Sequence, residues 1–337
     1  MDPLSQGTVG SAFAQSVANK NNIFKIGVIG FLAGLAPDLD VLIQSSTDPI
    51  LFLEYHRQFT HSLFFIPFGS LFVAFMLFPL FKKSMSIKTV YFACFLGYAT
   101  HGLLDACTSY GTQLFWPFSN ERVTWNNISI IDPLFTIPVL ILLVIAVKTK
   151  KKIFSLFSIG WIIFYLSLGF IQYERALSVA LELAHSRGHN PERLTLKPSF
   201  GNLILWKSIY QHEETFYVDA VRIAQSSSWC EGESIRVFDY HYHLPNLKKE
   251  SQQREDIERF RWFSQDYLGY DKERDIVTDV RYSMIPNQIA PMWGLVIDEQ
   301  RDASEHAIWW TSRSLDQSQI DLFKYMLSGR NCGNSPI

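Results

Sequence analysis

Charge is what the first half of this chain has least of. Residues 1–173 carry 19 Asp, Glu, Lys and Arg side chains, whereas residues 174–337 carry 43. The first density is far too low for a water-soluble domain, and the second is ordinary for one. A basic block is also missing. Thirty Lys and Arg against 32 Asp and Glu leave a net charge of −2, which argues against nucleic acid as the main partner. No biased composition, internal repeat or low-complexity tract points to disorder. Met1-Asp2-Pro3-Leu4 lacks a charged region followed by an apolar core, so no cleaved signal peptide is expected. These absences exclude a single soluble enzyme. They leave an α-helical multi-pass membrane domain over 1–173, followed by a soluble α+β domain over 174–337.

What is present in the first half is apolar. Ser62–Phe81 and Ile153–Tyr173 contain no charged residue, and each has about the 20 residues needed to cross a bilayer. Thr89–Cys107 is interrupted only by His101 and Asp105, and Ile128–Val147 only by Asp132. A fifth segment, Ile23–Ile43, is apolar until Pro37-Asp38-Leu39-Asp40. Lys82, Lys83 and Lys88 lie in one short loop and Lys148, Lys150, Lys151 and Lys152 in another. Two spans separate these loops, so both fall on one side, the cytoplasmic one. Loops 44–61 and 108–127, and everything after Tyr173, then face outward. Residues 4–18 form a short helix, as a sixth element that the pattern leaves unassigned.

In the soluble half, helical periodicity runs through 174–186 and about 249–267. Strand alternation appears at 216–223, 234–240, 276–282 and 293–297. The stretch 185–198 reads as loop. His241-Tyr242-His243 reads as an exposed strand. Cys94 and Cys107 lie several turns apart in one span and cannot pair, whereas Cys230 and Cys332 share the outward side, where a disulfide is permitted.

Ligand-type residues are rare in the membrane half, and they do not scatter. Asp38 and Asp40 end the first span, His56 and His61 precede the second, and His101 and Asp105 close the third. The lysine topology puts all six at the outer face. His101 and Asp105 are i, i+4 on a helix, one turn apart on one face. Asp38 and Asp40, two apart, point the same way in extended backbone. His56 and His61 need a turn to bring them together. Imidazole with carboxylate suits zinc, and also manganese or iron; six ligands exceed the needs of one ion and allow two. Arg57 suits an anionic phosphate oxygen.

On Met1-Asp2-Pro3-Leu4, Pro37–Asp40, the HRQFTHS run at 56–62, HGLLDACTSYGTQLFWPFS at 101–119 and Ile131–Phe135, the chain resembles the YdjM-like membrane-bound metal-dependent hydrolases. That group is often related to zinc-dependent phospholipase C and P1 nuclease. The resemblance implies a divalent metal held by these aspartates and histidines, and hydrolase chemistry. This chain has Gln6 where such proteins usually have His, which puts one ligand in question.

The resulting expectation is an integral, multi-pass protein of a bacterial inner (plasma) membrane, with its C-terminal domain extracytoplasmic. Asp38, Asp40, His56, His61, His101 and Asp105 hold one or two ions, zinc before manganese. A metal-bound hydroxide attacks a phosphoester or lipid-linked substrate at headgroup level, with Asp38 and Arg57 as catalytic groups. The alternatives are an ion or metal transporter, and an inactive scaffold stapled by metal. Oligomeric state is not legible.

Overall fold

The structure, a computed structural model, describes residues 1–329; Cys332, and with it the expected pairing to Cys230, lies outside the described residues. Two compact units emerge. The first comprises Met1–Ile43, Tyr55–Ile171 and Phe200–Asn202; the second comprises Gln44–Glu54, Gln172–Ser199 and the chain from Leu203 onward.

The first unit is helical. Asp2 caps α1 (Pro3–Ser16) by accepting from Ser5 N–H, with Pro3 at the first helical position where its missing N–H costs nothing. Almost all of α1 is buried although it is rich in Gly, Ser, Thr and Gln, because it packs among α2 (Ile23–Leu35), α5 (Ile87–Ala106) and α6 (Pro133–Thr149). Small residues make that possible. A Cβ at Gly10 would lie 2.5 Å from Gly30 O, and one at Gly97 would lie 2.4 Å from the same oxygen. Close helix crossings within membranes rely on such positions.

The helix α2 stops at Leu35, well short of Ile43. Pro37 follows, and the chain continues as a 3-10 turn over Ala36–Leu42 rather than in the extended form expected for Asp38 and Asp40. A short α3 (Leu51–Tyr55) lies in the next loop. Then come α4 (Ile66–Phe81), α5, α6 and the long α7 (Ile153–Ser186). Among the described residues, Leu63–Phe81 and Ile153–Ser186 are long and apolar enough to cross a membrane, and α6 is a shorter apolar helix.

The second unit is built on antiparallel sheets. Strands β1 (Arg193–Pro198), β2 (Leu205–His212), β3 (Thr215–Ile223) and β4 (Ser227–Cys230) lie in that order, with β5 (Ser234–Arg236) also pairing with β3. After α8 (Tyr240–His243) and α9 (Gln252–Phe263), a second sheet runs β6 (Leu268–Asp271), β7 (Ile276–Asp279), β8 (Trp293–Val296) and β9 (Ile308–Thr311), followed by α10 (Gln317–Ser328). Ile209, Phe216 and Val218 of the first sheet pack with Tyr267, Val280 and Ile289 beside the second. Two expectations need correction. Strand β1 occupies the end of the stretch read as loop, and His241–His243 lie in a short helix capped by Asp239, not in a strand.

Candidate metal centre

Six ligand-type side chains converge within the first unit. The 3-10 turn after α2 presents Asp38 and Asp40, the turn before α4 presents His56 and His61, and the last turns of α5 present His101 and Asp105. Asp40 is buried and organises this region. Its Oδ1 accepts from His56 Nδ1 at 2.8 Å, and its Oδ2 accepts from Arg57 N–H at 3.0 Å and Thr60 Oγ1 at 2.9 Å. To aim that N–H, Arg57 holds φ at 65°. The left-handed region costs a non-glycine residue about 1–2 kcal/mol, so the surrounding contacts hold it there.

His61 and His101 face each other with ring centroids 4.5 Å apart, both enclosed. His101 Nδ1 donates to the Gly34 carbonyl at 2.5 Å. His61 Nδ1 donates to Thr60 Oγ1 at 2.9 Å, and that hydroxyl donates onward to Asp40. With both Nδ1 atoms engaged as donors, both Nε2 atoms turn inward, 2.9 Å apart. Two lone pairs at that distance repel unless a proton or cation lies between them. Asp38 Oδ1 stands 3.4 Å from His61 Nε2 and 3.3 Å from His101 Nε2; Asp105 Oδ2 stands 3.2 and 3.6 Å from the same atoms. Burial opposes a charge on His61, but the carboxylates of Asp105, Asp38 and Asp40 outweigh it and raise its pKa to about 10. Burial lowers the pKa of His56, which favours the neutral imidazole.

Asp105 gathers donors on one oxygen. Its Oδ1 accepts from the Met1 α-amine and from Gln6 Nε2 at 2.9 Å. Its Oδ2 is buried and lies 3.2 Å from Arg57 Nε without forming a hydrogen bond. Gln6 Oε1 is likewise buried and without a donor among the described residues, and Arg57 Nε beside Asp105 is a buried donor without an acceptor. The two orphaned oxygens suit a cation, and the orphaned guanidinium nitrogen an anionic oxygen next to it. The Arg57 guanidinium is itself buried, donating to Thr108 Oγ1 at 3.0 Å and lying 4.7 Å from the Tyr110 ring centroid.

Ligand-capable atoms fall into two overlapping groups: Asp38, His61, His101 and Asp105, and Asp38, Asp40 and His56. Within each, the atoms lie within 4.8 Å of one another. Such a cluster of Asp and His residues can bind a metal ion. Residues that sequence reasoning did not single out complete it: Thr60 and Thr108 as relays, the Gly34 carbonyl, and Gly102, where a Cβ would lie 2.0 Å from His61 O. Thr60 sits inside HRQFTHS and could have been found there; a backbone carbonyl has no signature.

Long apolar helices beside a buried Asp/His cluster of metal-ligand type define a membrane protein with a candidate metal centre. The chain belongs to the YdjM inner membrane protein family, whose sequence model matches residues 1–176. It is also similar to the uncharacterized protein YfhP of Bacillus subtilis (strain 168), 31% identical over 107 residues, which is 32% of each chain. The match thus spans about a third of that relative's length. No solved structure matches.

Proposed function

We propose that this chain is a multi-pass membrane hydrolase that uses one or two divalent ions, zinc before manganese, to cleave a phosphoester of a lipid or lipid-linked substrate at the outer membrane face. The observation that carries the reading is the inner group of four. A tetrahedral zinc with bonds of about 2.0–2.1 Å to nitrogen and oxygen has ligand–ligand edges of about 3.3–3.4 Å. The five edges among His61, His101, Asp38 and Asp105 quoted above run 2.9, 3.4, 3.2, 3.3 and 3.6 Å. Each imidazole is pinned from behind, by Gly34 O or by the Thr60–Asp40 pair, as metal-bound histidines usually are.

Asp38, His61, His101 and Asp105 would hold the first ion, and Asp38, Asp40 and His56 a second. When bound, a divalent ion supplies Lewis acidity and a water primed for attack. The residues do the rest. Asp38, whose side chain is 27% exposed while Asp40 and Asp105 are enclosed, is where substrate would reach the centre, and with one ion bound its free carboxylate oxygen would accept a proton from the attacking water. Arg57 counters negative charge that grows on the phosphoryl oxygens. Leu39 and Leu42, next to Asp38 and Asp40 in the chain, are exposed, as are Phe64 and Phe118, whose rings meet edge to face; such apolar side chains suit an acyl-bearing substrate.

Gln6 favours a second reading, an inactive scaffold, because a glutamine at 2.9 Å from Asp105 stands where the family resemblance implies His. One experiment separates the two. Metal content of the detergent-purified chain is measured by inductively coupled plasma mass spectrometry, beside a His101→Ala/Asp105→Ala variant, and both are then assayed on phospholipid and nitrophenyl phosphoesters. One to two equivalents of metal with hydrolysis, both lost in the folded variant, is the expected result. Metal without hydrolysis points to the scaffold, and no stoichiometric metal overturns both.

A further inference from the structure

Away from the metal centre, α1, α2 and α6 leave a groove of about 350 Å³ between them. Its walls are Phe24, Val28, Phe31 and Leu32 of α2 and Leu140, Leu143, Val144 and Val147 of α6. Each set recurs at three- and four-residue spacing, so each is one helix face. The lips are exposed: Phe24 at 62%, Val144 at 44%, Leu32 at 39%. This is within the size of a small-molecule site, apolar and open to the side.

The third wall is not apolar. Helix α1 contributes Thr8, Ser11 and Gln15, one polar stripe at the same spacing. Thr8 Oγ1 is satisfied by the Leu4 and Ser5 carbonyls. The other two are not. Gln15 is 3% exposed; its Oε1 accepts from Ser155 Oγ at 2.9 Å, but its Nε2 donates to no described residue. That nitrogen lies against Gly27 in the groove, where a Cβ on the glycine would come within 2.3 Å of it. Ser11, 6% exposed, has a hydroxyl with no hydrogen bond to any described residue. Polar groups left unpaired in an apolar surround are costly, so a ligand bearing acceptor oxygens is favoured here. At the end remote from the metal centre the groove reaches Lys148, which is exposed and forms no ion pair with a described residue. Lys150, Lys151 and Lys152 follow directly.

An apolar trough, a free amide donor and then a free ammonium match, in order, the acyl chain, ester carbonyl and phosphate of a phospholipid. We infer that this groove binds one anionic phospholipid of the cytoplasmic leaflet, its headgroup on Lys148 and its ester oxygen on Gln15 Nε2. The site is separate from the proposed hydrolysis and does not depend on it: Gln6 and Gln15 stand nine residues apart along α1, at opposite ends of the helix.

The test is native mass spectrometry of the full chain after exchange into micelles holding equal phosphatidylglycerol and phosphatidylcholine. One retained lipid per chain is expected, with phosphatidylglycerol preferred about fivefold, the value of one lysine near an anionic headgroup. Lys148→Gln should erase the preference, Lys148→Arg should keep it, and Gln15→Leu should release the lipid at lower collision energy. Lys83→Gln, outside the groove, should change nothing. No retained lipid, equal retention of the two lipids by the wild type, or a Lys83→Gln effect as large as that of Lys148→Gln would each overturn the assignment.

Discussion

Replacing Asp40 with Asn tests the architecture of the centre most directly, because it removes a charge and almost no volume. Asp40 Oδ2 takes Arg57 N–H and the Thr60 hydroxyl, and Oδ1 takes His56 Nδ1. The single oxygen of Asn can still serve Arg57 and Thr60. Its NH₂ then faces His56, which can present the other tautomer and accept. Folding should therefore survive. At the first ion, whose ligands do not include Asp40, what is lost is the negative charge behind His61, delivered through Thr60 at 2.9 Å and directly at 3.2 Å, which makes Nε2 a stronger donor to a metal. Removing such supporting partners typically weakens metal binding about 10–100-fold, or about 1.4–2.8 kcal/mol. The assay is competition for zinc between the purified chain and a chromophoric chelator, with circular dichroism confirming the fold. Zinc affinity in a folded Asp40→Asn protein equal to that of the wild type would refute the claim that Asp40 supports the centre.

Three other perturbations follow from the same contacts. Gly102→Ala places a methyl group 2.0 Å from His61 O, and both sides are backbone; overpacking of about 1–3 kcal/mol should appear in thermal unfolding, together with lost metal. In the second unit, Arg259 pairs with Asp48 at 2.7 Å and with Glu54 and Asp256. Arg259→Met should cost about 1–3 kcal/mol and expose 44–54 to limited proteolysis, whereas an unchanged digestion pattern would show that the pairs do not hold this segment. Burial lowers the pKa of Lys197 to about 7, and its ammonium lies 3.7 Å from the Tyr282 ring centroid. Between that value and the unfolded pKa, near 10.4, the unfolded chain binds the extra proton, so stability of this unit rises with pH from about 7 to about 10. Lys197→Met should reduce that rise in denaturant titrations followed by tryptophan fluorescence, leaving the part due to Lys207, whose pKa burial also lowers; an identical slope would assign the rise to other groups.

How much was legible depended on which physical quantity the residue pattern encodes. The charge-poor half and the rarity of ligand-type residues within it were visible because burial of ions is costly wherever it occurs. Strand β2 escaped because six successive residues, Leu205–Tyr210, are buried, so the alternation that marks a half-exposed strand is absent. Its partner β1 hid behind turn-forming residues and Pro198, although Leu194 and Leu196 alternate. Helix α1 shows no apolar stripe because helices surround it on several sides, and close approach selects small residues instead. The 3-10 turn at Asp38 and Asp40 was half legible: Pro37 announced the end of α2, but not that the chain would stay helical in a tighter form.

The charge balance of the centre says where a cation belongs. Asp40 is met by three donors, from His56, Arg57 and Thr60. Asp105 is met by the Met1 amine and Gln6 on one oxygen and stands beside Arg57 on the other. Among the described residues Asp38 has neither arginine nor backbone donor; its neighbours are the Nε2 atoms of His61 and His101, the two atoms already turned toward each other. Asp38 is therefore the carboxylate that depends on the histidines alone for its counter-charge, and it is the residue common to both ligand groups and the most open of the three aspartates. A metal ion placed there would meet Asp38, both Nε2 atoms and Asp105 Oδ2, which accepts no hydrogen bond from a described residue, all at once. A proton cannot, because it bridges two atoms and not four.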